Sequence, residues 1–328
     1  MLKSEVTRRQ MLRAATAFGV AGVVGLENIE RVTAAQSASK TPPMTPNEMA
    51  AVDAALGKRG KYVEAEAVYT IALPRNDLKM SIKGEAVPIP LGFGGWVSLK
   101  KTMDGKGAVL MSDTVLLQEE VNPLITAAHA NDLEISAIHN HFFYEEPRIF
   151  YMHLHGMGST ADLARRYAAT IKTTKLFPAN QPPAATAPAR TGKEIFDLPA
   201  LDKIIKHTGA VGGATYKYTI GRDDLHVMAM GAEMTAIIGL NSWAAFAGTM
   251  DAAHVAGDIA MLEPEVNPVV MALRRNKMEV VALHNHMLGE HPRIIFLHYY
   301  GRGQAITLAQ GFRAALDELG GHNNAMQM

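Results

Sequence analysis

Two stretches of this chain hold most of its histidine, the side chain most suited to proton transfer and metal binding near neutral pH. Residues 138–158 read IHNHFFYEEPRIFYMHLHGMG and residues 283–303 read LHNHMLGEHPRIIFLHYYGRG, and the two align without a gap 145 residues apart. Eight of the thirteen histidines lie inside them. The matching positions are largely polar: His139/His284, Asn140/Asn285, His141/His286, Glu145/Glu290, Pro147/Pro292, Arg148/Arg293 and His153/His298. A duplication kept only for packing would more readily preserve its apolar positions, so chemistry is sought here first.

Each copy reads as a β-hairpin, with strand-forming residues on either side of a Glu-Glu-Pro or Glu-His-Pro turn. Residues two apart on a strand share a face, so His139 and His141 emerge together, as do His284 and His286. A fold about position 146 sets His139 opposite His153, and one about position 291 sets His284 opposite His298. Three imidazoles per copy then face one centre, with Glu145 or Glu290 at the turn as a fourth group. Nitrogen and carboxylate oxygen donors of this kind suit a divalent transition metal such as Zn, Fe or Mn. The order His-x-His, Glu, later His resembles the metal pattern of cupins, a similarity of site rather than of fold. Two blander readings stand beside it: metal-free acid/base or phosphate-binding histidines, and a polar network that only supports the fold. Arg148 and Arg293 either clamp an anionic ligand or pair with Glu145 and Glu290. Tyr300 in place of His155 and His291 in place of Glu146 make the copies chemically unequal.

The elements that position these residues are duplicated too. Tyr69-Thr70-Ile71 matches Tyr218-Thr219-Ile220, Trp96 matches Trp243, and Glu120-Val121-Asn122-Pro123 matches Glu265-Val266-Asn267-Pro268. In the first unit a capping box, Thr45-Pro46-Asn47-Glu48, opens a helix. Strands are expected near 67–73, 78–82, 86–99 and 107–117, then a helix capped by Asn122 with Pro123 in its first position, the hairpin, and a helix from Thr160 to about Thr173. The second unit repeats this, with strands near 215–221, 225–230, 234–247 and 254–262, a helix over 268–276, the hairpin and a helix over 304–318. The fold class is α+β: two pseudo-repeats, each a mainly antiparallel sheet with helices. The division is 1–38 leader, 39–175 first repeat, 176–195 Pro/Ala-rich linker and 196–328 second repeat. Arg75 and Arg222 are expected to close local ion pairs, Glu120 and Glu265 to cap helix starts, and the tryptophans to pack in the core.

The Glu-Val-Asn-Pro helix start, the His-Asn-His hairpin and the Pro-Arg pair followed by His, all present twice, resemble the LppY/LpqO-like family, a bacterial domain of unknown function (1259). The resemblance spans both units and implies a cell-envelope location; it supplies no reaction. Relatives include lipoproteins, whereas this chain has no cysteine to lipidate.

Thr7-Arg8-Arg9-Gln10-Met11-Leu12-Arg13 followed by a short run of small apolar residues matches a twin-arginine signal peptide, too short to span a bilayer. The expected location is the periplasm or outside the cell, with the twin-arginine export machinery as a partner. With no cysteine, disulfides, thiolate nucleophiles and iron–sulfur clusters are excluded. Formal net charge is zero with charges interspersed, so nothing points to nucleic acid. The leading expectation is an exported metal-binding protein, with hydrolysis or lyase chemistry on a small molecule. In it Glu145 or Glu290 acts as ligand or base and Arg148 or Arg293 as anion clamp. The alternative is a non-catalytic ligand- or metal-binding protein, and a metal-free phosphoesterase ranks third.

Overall fold

The computed structural model describes residues 41–176 and 187–321. The residues expected to form the leader, residues 177–186 of the expected linker and the tail beyond Gly321 lie outside them. The first repeat runs α1 (Pro46–Leu56), β1 (Lys61–Val63), β2 (Val68–Pro74), β3 (Met80–Ile82), β4 (Glu85–Val87), β5 (Gly94–Lys101), β6 (Ala108–Leu117), α2 (Gln118–Ala130), β7 (Glu134–His139), β8 (Glu145–Glu146), β9 (Ile149–Gly158) and α3 (Thr160–Ile171). The second runs α4 (Gly192–Ile195), α5 (Leu198–Ile205), β10 (Ala210–Gly212), β11 (Thr215–Gly221), β12 (Val227–Ala229), β13 (Ala232–Met234), β14 (Asn241–Gly248), β15 (Ala253–Met261), α6 (Val266–Arg275), β16 (Glu279–His284), β17 (Ile295–Gly303) and α7 (Ala305–Leu316). Each repeat builds a six-stranded antiparallel sheet, ordered β1-β2-β5-β6-β9-β7 in one and β10-β11-β14-β15-β17-β16 in the other.

Burial explains how the sheets are stacked. Every residue of β15 is buried, and so is all of β6 except its last, so neither strand shows the polar alternation of a sheet with one wet face. Leu110 and Leu116 of β6 point to a core shared with Leu124, Leu163 and Tyr167 of the helices in their own repeat. Val109, Met111 and Val115 point the other way, into clusters that include Val227, Met234 and Phe296, or Ala245 and Tyr300, of the second repeat. The result is four layers, with the two sheets face to face inside and the helices outside. The β3–β4 and β12–β13 hairpins reach across reciprocally: Glu85 pairs with Arg302 at 2.6 Å, and Met103 N–H donates to Gly231 O at 2.9 Å.

The expected α+β pseudo-repeat is observed, and so is the capping box on α1. Several local expectations are corrected. The helix after β6 opens at Gln118, not after Asn122, and contains Pro123. Glu120 accepts the Leu117 N–H at 2.8 Å, which satisfies a free donor and lets the helix begin a turn earlier. In the second repeat, α6 likewise starts at Val266, ahead of Pro268. The strand expected over 86–99 is broken by a helical turn at Ile89–Leu91, flanked by Pro88 and containing Pro90, and that over 234–247 by one at Ala236–Ile238. Tyr69 matches Tyr216 rather than Tyr218, because its hydroxyl accepts the Gly60 N–H at 3.0 Å as that of Tyr216 accepts the Gly209 N–H at 3.0 Å, a contact Tyr218 does not share although it too donates to Asp202. Part of the expected linker is structured: Gly192–Ile195 forms a helical turn.

Arg75 and Arg222 close ion pairs, as expected, and these reach further than the adjacent acids. Arg222 meets Asp224 at 2.8 Å and Glu265 at 2.7 Å, and Glu265 also accepts the Gly320 N–H at 2.7 Å. Arg75 meets Asp77 at 3.0 Å and Glu120 at 2.7 Å, and Glu120 accepts the Lys175 N–H at 3.3 Å. Each buried clasp therefore ties the end of its repeat back to a helix start.

Candidate metal centre

All six expected histidines arrive at one place, between the two sheets. The register differs from expectation by one turn position. His139 lies opposite Tyr151 and His284 opposite Phe296, while His153 and His298 lie opposite Ala137 and Ala282. The hairpins thus fold about 145 and 290. Because the slip moves each pairing by two residues, every imidazole stays on its intended face. β7 and β16 end at His139 and His284, and the chain then bends to present His141 and His286.

The rings of the two repeats interleave. His139 and His284 stack at 3.9 Å between centroids, His141 and His298 lie 3.7 Å apart, and His153 and His286 lie 4.2 Å apart. His139 Nε2 sits 3.1 Å from His298 Nε2. Two nitrogens bound at about 2.0–2.1 Å to one ion are separated by about that much.

Two carboxylates complete the centre, and sequence reasoning missed them. Asp113 pairs across the sheet with His153, and Asp258 with His298. Asp258 Oδ2 lies 3.0 Å from His286 Nε2, 3.8 Å from His298 Nε2 and 3.9 Å from His284 Nε2, and Asp113 Oδ2 lies 3.9 Å from His141 Nε2. The missed signal was a lone acid inside an otherwise buried strand, repeated at the same 145-residue offset. Buried charges on such strands are rare unless paired or ligating.

The surrounding backbone fixes which nitrogens face inward. The Nδ1 atoms of His141, His153, His286 and His298 lie 2.8–3.1 Å from the carbonyls of Gly92, Ser112, Gly239 and Gly257. Each Nδ1–H donates outward, leaving Nε2 with its lone pair toward the centre, the arrangement that orients metal-bound histidines. Gly239 adopts φ +114°, and a side chain there would also press on Trp96 of the other repeat. The tryptophans are half-buried, each against the loop that holds a histidine of the opposite repeat. Several polar atoms in the centre have no hydrogen-bond partner, among them Asp113 Oδ1, His141 Nε2, His153 Nε2 and both nitrogens of His284. Unsatisfied buried groups are costly and call for an explanation, such as a bound ion.

Electrostatics favour neutral imidazoles. Burial pushes all six histidines below their ordinary range, His286 to about 3 and His298 to about 4. Burial raises Asp113 and Asp258, and for Asp113 the neighbouring Asp258 adds to it. Lys217 is half-buried over Trp243, 4.3 Å from its ring centre, and burial lowers its amine to about 8 against the attraction of both aspartates. Thr70 holds the matching place in the first repeat, so the two halves differ in charge.

Three groups have donor atoms close enough to share an ion: His139/His284/His298, His153/His284/His286 and Asp113/His139/His141. Glu145, Glu290, Arg148 and Arg293 belong to none of them. Glu145 accepts the Ile149 N–H at 3.3 Å and Glu290 the Ile294 N–H at 3.1 Å. Arg148 donates to Phe143 O at 2.9 Å and to Glu145 at 3.4 Å, and Arg293 to Asn285 Oδ1 at 3.1 Å. These contacts shape the turns that carry the histidines.

Fold and centre define a duplicated α+β protein whose two sheets enclose a His/Asp cluster. The family model described as Domain of Unknown Function (DUF1259) matches residues 50–173 and again 199–318, and the chain belongs to that family, with the domain in tandem. No curated protein matches it. Among solved structures, the crystal structure of EtuB from Clostridium kluyveri aligns at 11% identity over 82% of this chain and 93% of that one, with a TM-score of 0.20.

Proposed function

We propose that this is an exported metalloprotein that binds a divalent transition metal between its repeats. The observation that carries the reading is the convergence of six imidazoles and two carboxylates, with partnerless donor atoms among them and four of the imidazoles turned inward by backbone carbonyls. Mixed nitrogen and oxygen donors suit Zn, Fe or Mn. A bound ion there would acidify a water or polarise a substrate oxygen, in keeping with hydrolysis or lyase chemistry. Every ring is less than a tenth exposed, so the reacting molecule must be small. The turn residues Glu145, Arg148, Glu290 and Arg293 would act by holding the histidine-bearing loops in place.

Export by the twin-arginine route rests on the Arg8-Arg9 motif. It suits a centre that needs both repeats folded before it can take up an ion, since that route carries folded proteins. Elemental analysis of untagged protein recovered from the periplasm tests both parts. Transition metal is expected in protein found there. Protein that retains none and takes up none on titration with Zn, Fe or Mn would overturn the metal reading, and retention in the cytoplasm would overturn the export reading.

A further inference from the structure

We propose that the centre holds two ions, and that each takes three ligands from one repeat and its fourth from the other. This rests on the metal-binding reading above and extends it to stoichiometry and ligand assignment. Eight donor side chains exceed what one transition ion accommodates, since four to six ligands are usual. The donor groups overlap at His139 and His284, and the duplication resolves the eight side chains into two equivalent sets that share no residue. Asp113, His139 and His141 form one group, joined by His298, whose Nε2 is 3.1 Å from His139 Nε2 and whose ring lies 3.7 Å from that of His141. Asp258, His284 and His286 form the other. Asp258 Oδ2 lies 3.9 Å and 3.0 Å from the two histidines, and His153 groups with both of them.

The crossover follows from the face-to-face packing. Met152 and Leu154 of β9, and Leu297 and Tyr299 of β17, pack toward the helices of their own repeats, so His153 and His298 between them project toward the opposing repeat, while β7 and β16 are edge strands whose ends bring His139 and His284 into contact. That 3.9 Å stack places one ligand of each set beside the other, so the ions would be close neighbours, as in two-metal sites.

The full chain, purified without a tag and reconstituted with Zn²⁺, would be assayed by elemental analysis, with folding followed by circular dichroism. Two equivalents per chain are expected, falling to one in His141→Ala. The assignment across repeats is read from two double variants. His141→Ala/His298→Ala removes two ligands of one ion and should keep one equivalent, whereas His141→Ala/His153→Ala damages both sites and should keep none. The reverse pattern would overturn the crossover. One equivalent in the wild type would overturn the two-ion proposal and leave the metal-binding function standing; none with Zn²⁺, Fe²⁺ and Mn²⁺ alike would overturn both. If the variants fail to fold, Mn²⁺-loaded wild type decides the count. An electron paramagnetic resonance spectrum broadened by a neighbouring ion supports the pair, and the spectrum of isolated Mn²⁺ sinks it.

Discussion

His139 and His284, 145 residues apart in sequence, stack ring on ring at 3.9 Å across the boundary between the repeats. Neither Nδ1 has a hydrogen-bond partner. Two neutral imidazoles gain little from that stack, and their orphaned nitrogens cost free energy. A ligand that binds only the folded chain stabilises it by mass action, by about 2.7 kcal/mol at a hundredfold excess over its dissociation constant. Saturating Zn²⁺ is therefore expected to raise the melting temperature by about 5–10 °C, and a chelator to reverse the rise. Calorimetry with and without chelator checks this, and an unchanged melting temperature would contradict a folded-state site.

Acid should unfold the chelated protein well before its surface carboxylates titrate. The six histidines have folded-state pKa values below their unfolded value near 6.5. Below that pH the unfolded chain takes up protons that the native state refuses. Stability is thus present above pH 6.5 and lost as pH falls toward the folded values, about 4 for His298 and about 3 for His286. Each such group contributes a slope of about 1.4 kcal/mol per pH unit within its own window. Asp113 and Asp258, raised by burial, act in the opposite sense, since the native state binds their protons more readily. Six against two leaves a net loss, measurable as a falling denaturant midpoint between pH 7 and 5.

The hairpins and their histidines were legible because polar identity recurred at strand spacing, and a two-residue slip in pairing leaves the face of a strand unchanged. Meeting of the repeats in one centre was not legible. Nothing local distinguishes His153 aimed at its own hairpin from His153 aimed at His286; only the packing of one sheet on the other decides. Asp113 and Asp258 were overlooked because each is the single acid of its strand, far in sequence from the histidine stretches. The start of α2 was misplaced because proline at the first helical turn is a strong local signal, yet Glu120 overrode it through a contact with Leu117.

Arg222 is almost fully buried, as is its partner Glu265. Removing one member of such a pair strands the other charge away from water, at a cost of about 3–5 kcal/mol. Arg222→Ala is expected to lose about that much in urea unfolding. Arg302, which pairs with the half-exposed Glu85, should cost less than about 1 kcal/mol when replaced by alanine. A similar loss in both variants would refute the distinction.

Lys217 offers no lone pair to a metal while charged, and its ammonium would oppose an incoming cation beside the two aspartates. Lys217→Met is predicted to keep the wild-type metal content. It should tighten Zn²⁺ binding at pH 7 by about tenfold, since the removed charge acts through a poorly screened interior. Competition with a chelating dye measures the change. Weaker binding would mean that the amine supports the centre rather than opposing the ion.

Glu145 and Glu290 test how far the hairpin turn takes part in the chemistry. Each is buried and accepts a backbone N–H four residues on, from Ile149 or Ile294, and neither shares a group with the histidines. Glu145→Ala and Glu290→Ala should therefore each destabilise the fold by about 1–3 kcal/mol, the cost of stranding a buried donor, while metal content stays at the wild-type value. Loss of bound metal from either variant, at a temperature where circular dichroism shows it folded, would return the turn carboxylate to the ligand shell. It would also displace Asp113 or Asp258 from the place given to it here, because a site already holding three imidazoles has room for few further donors.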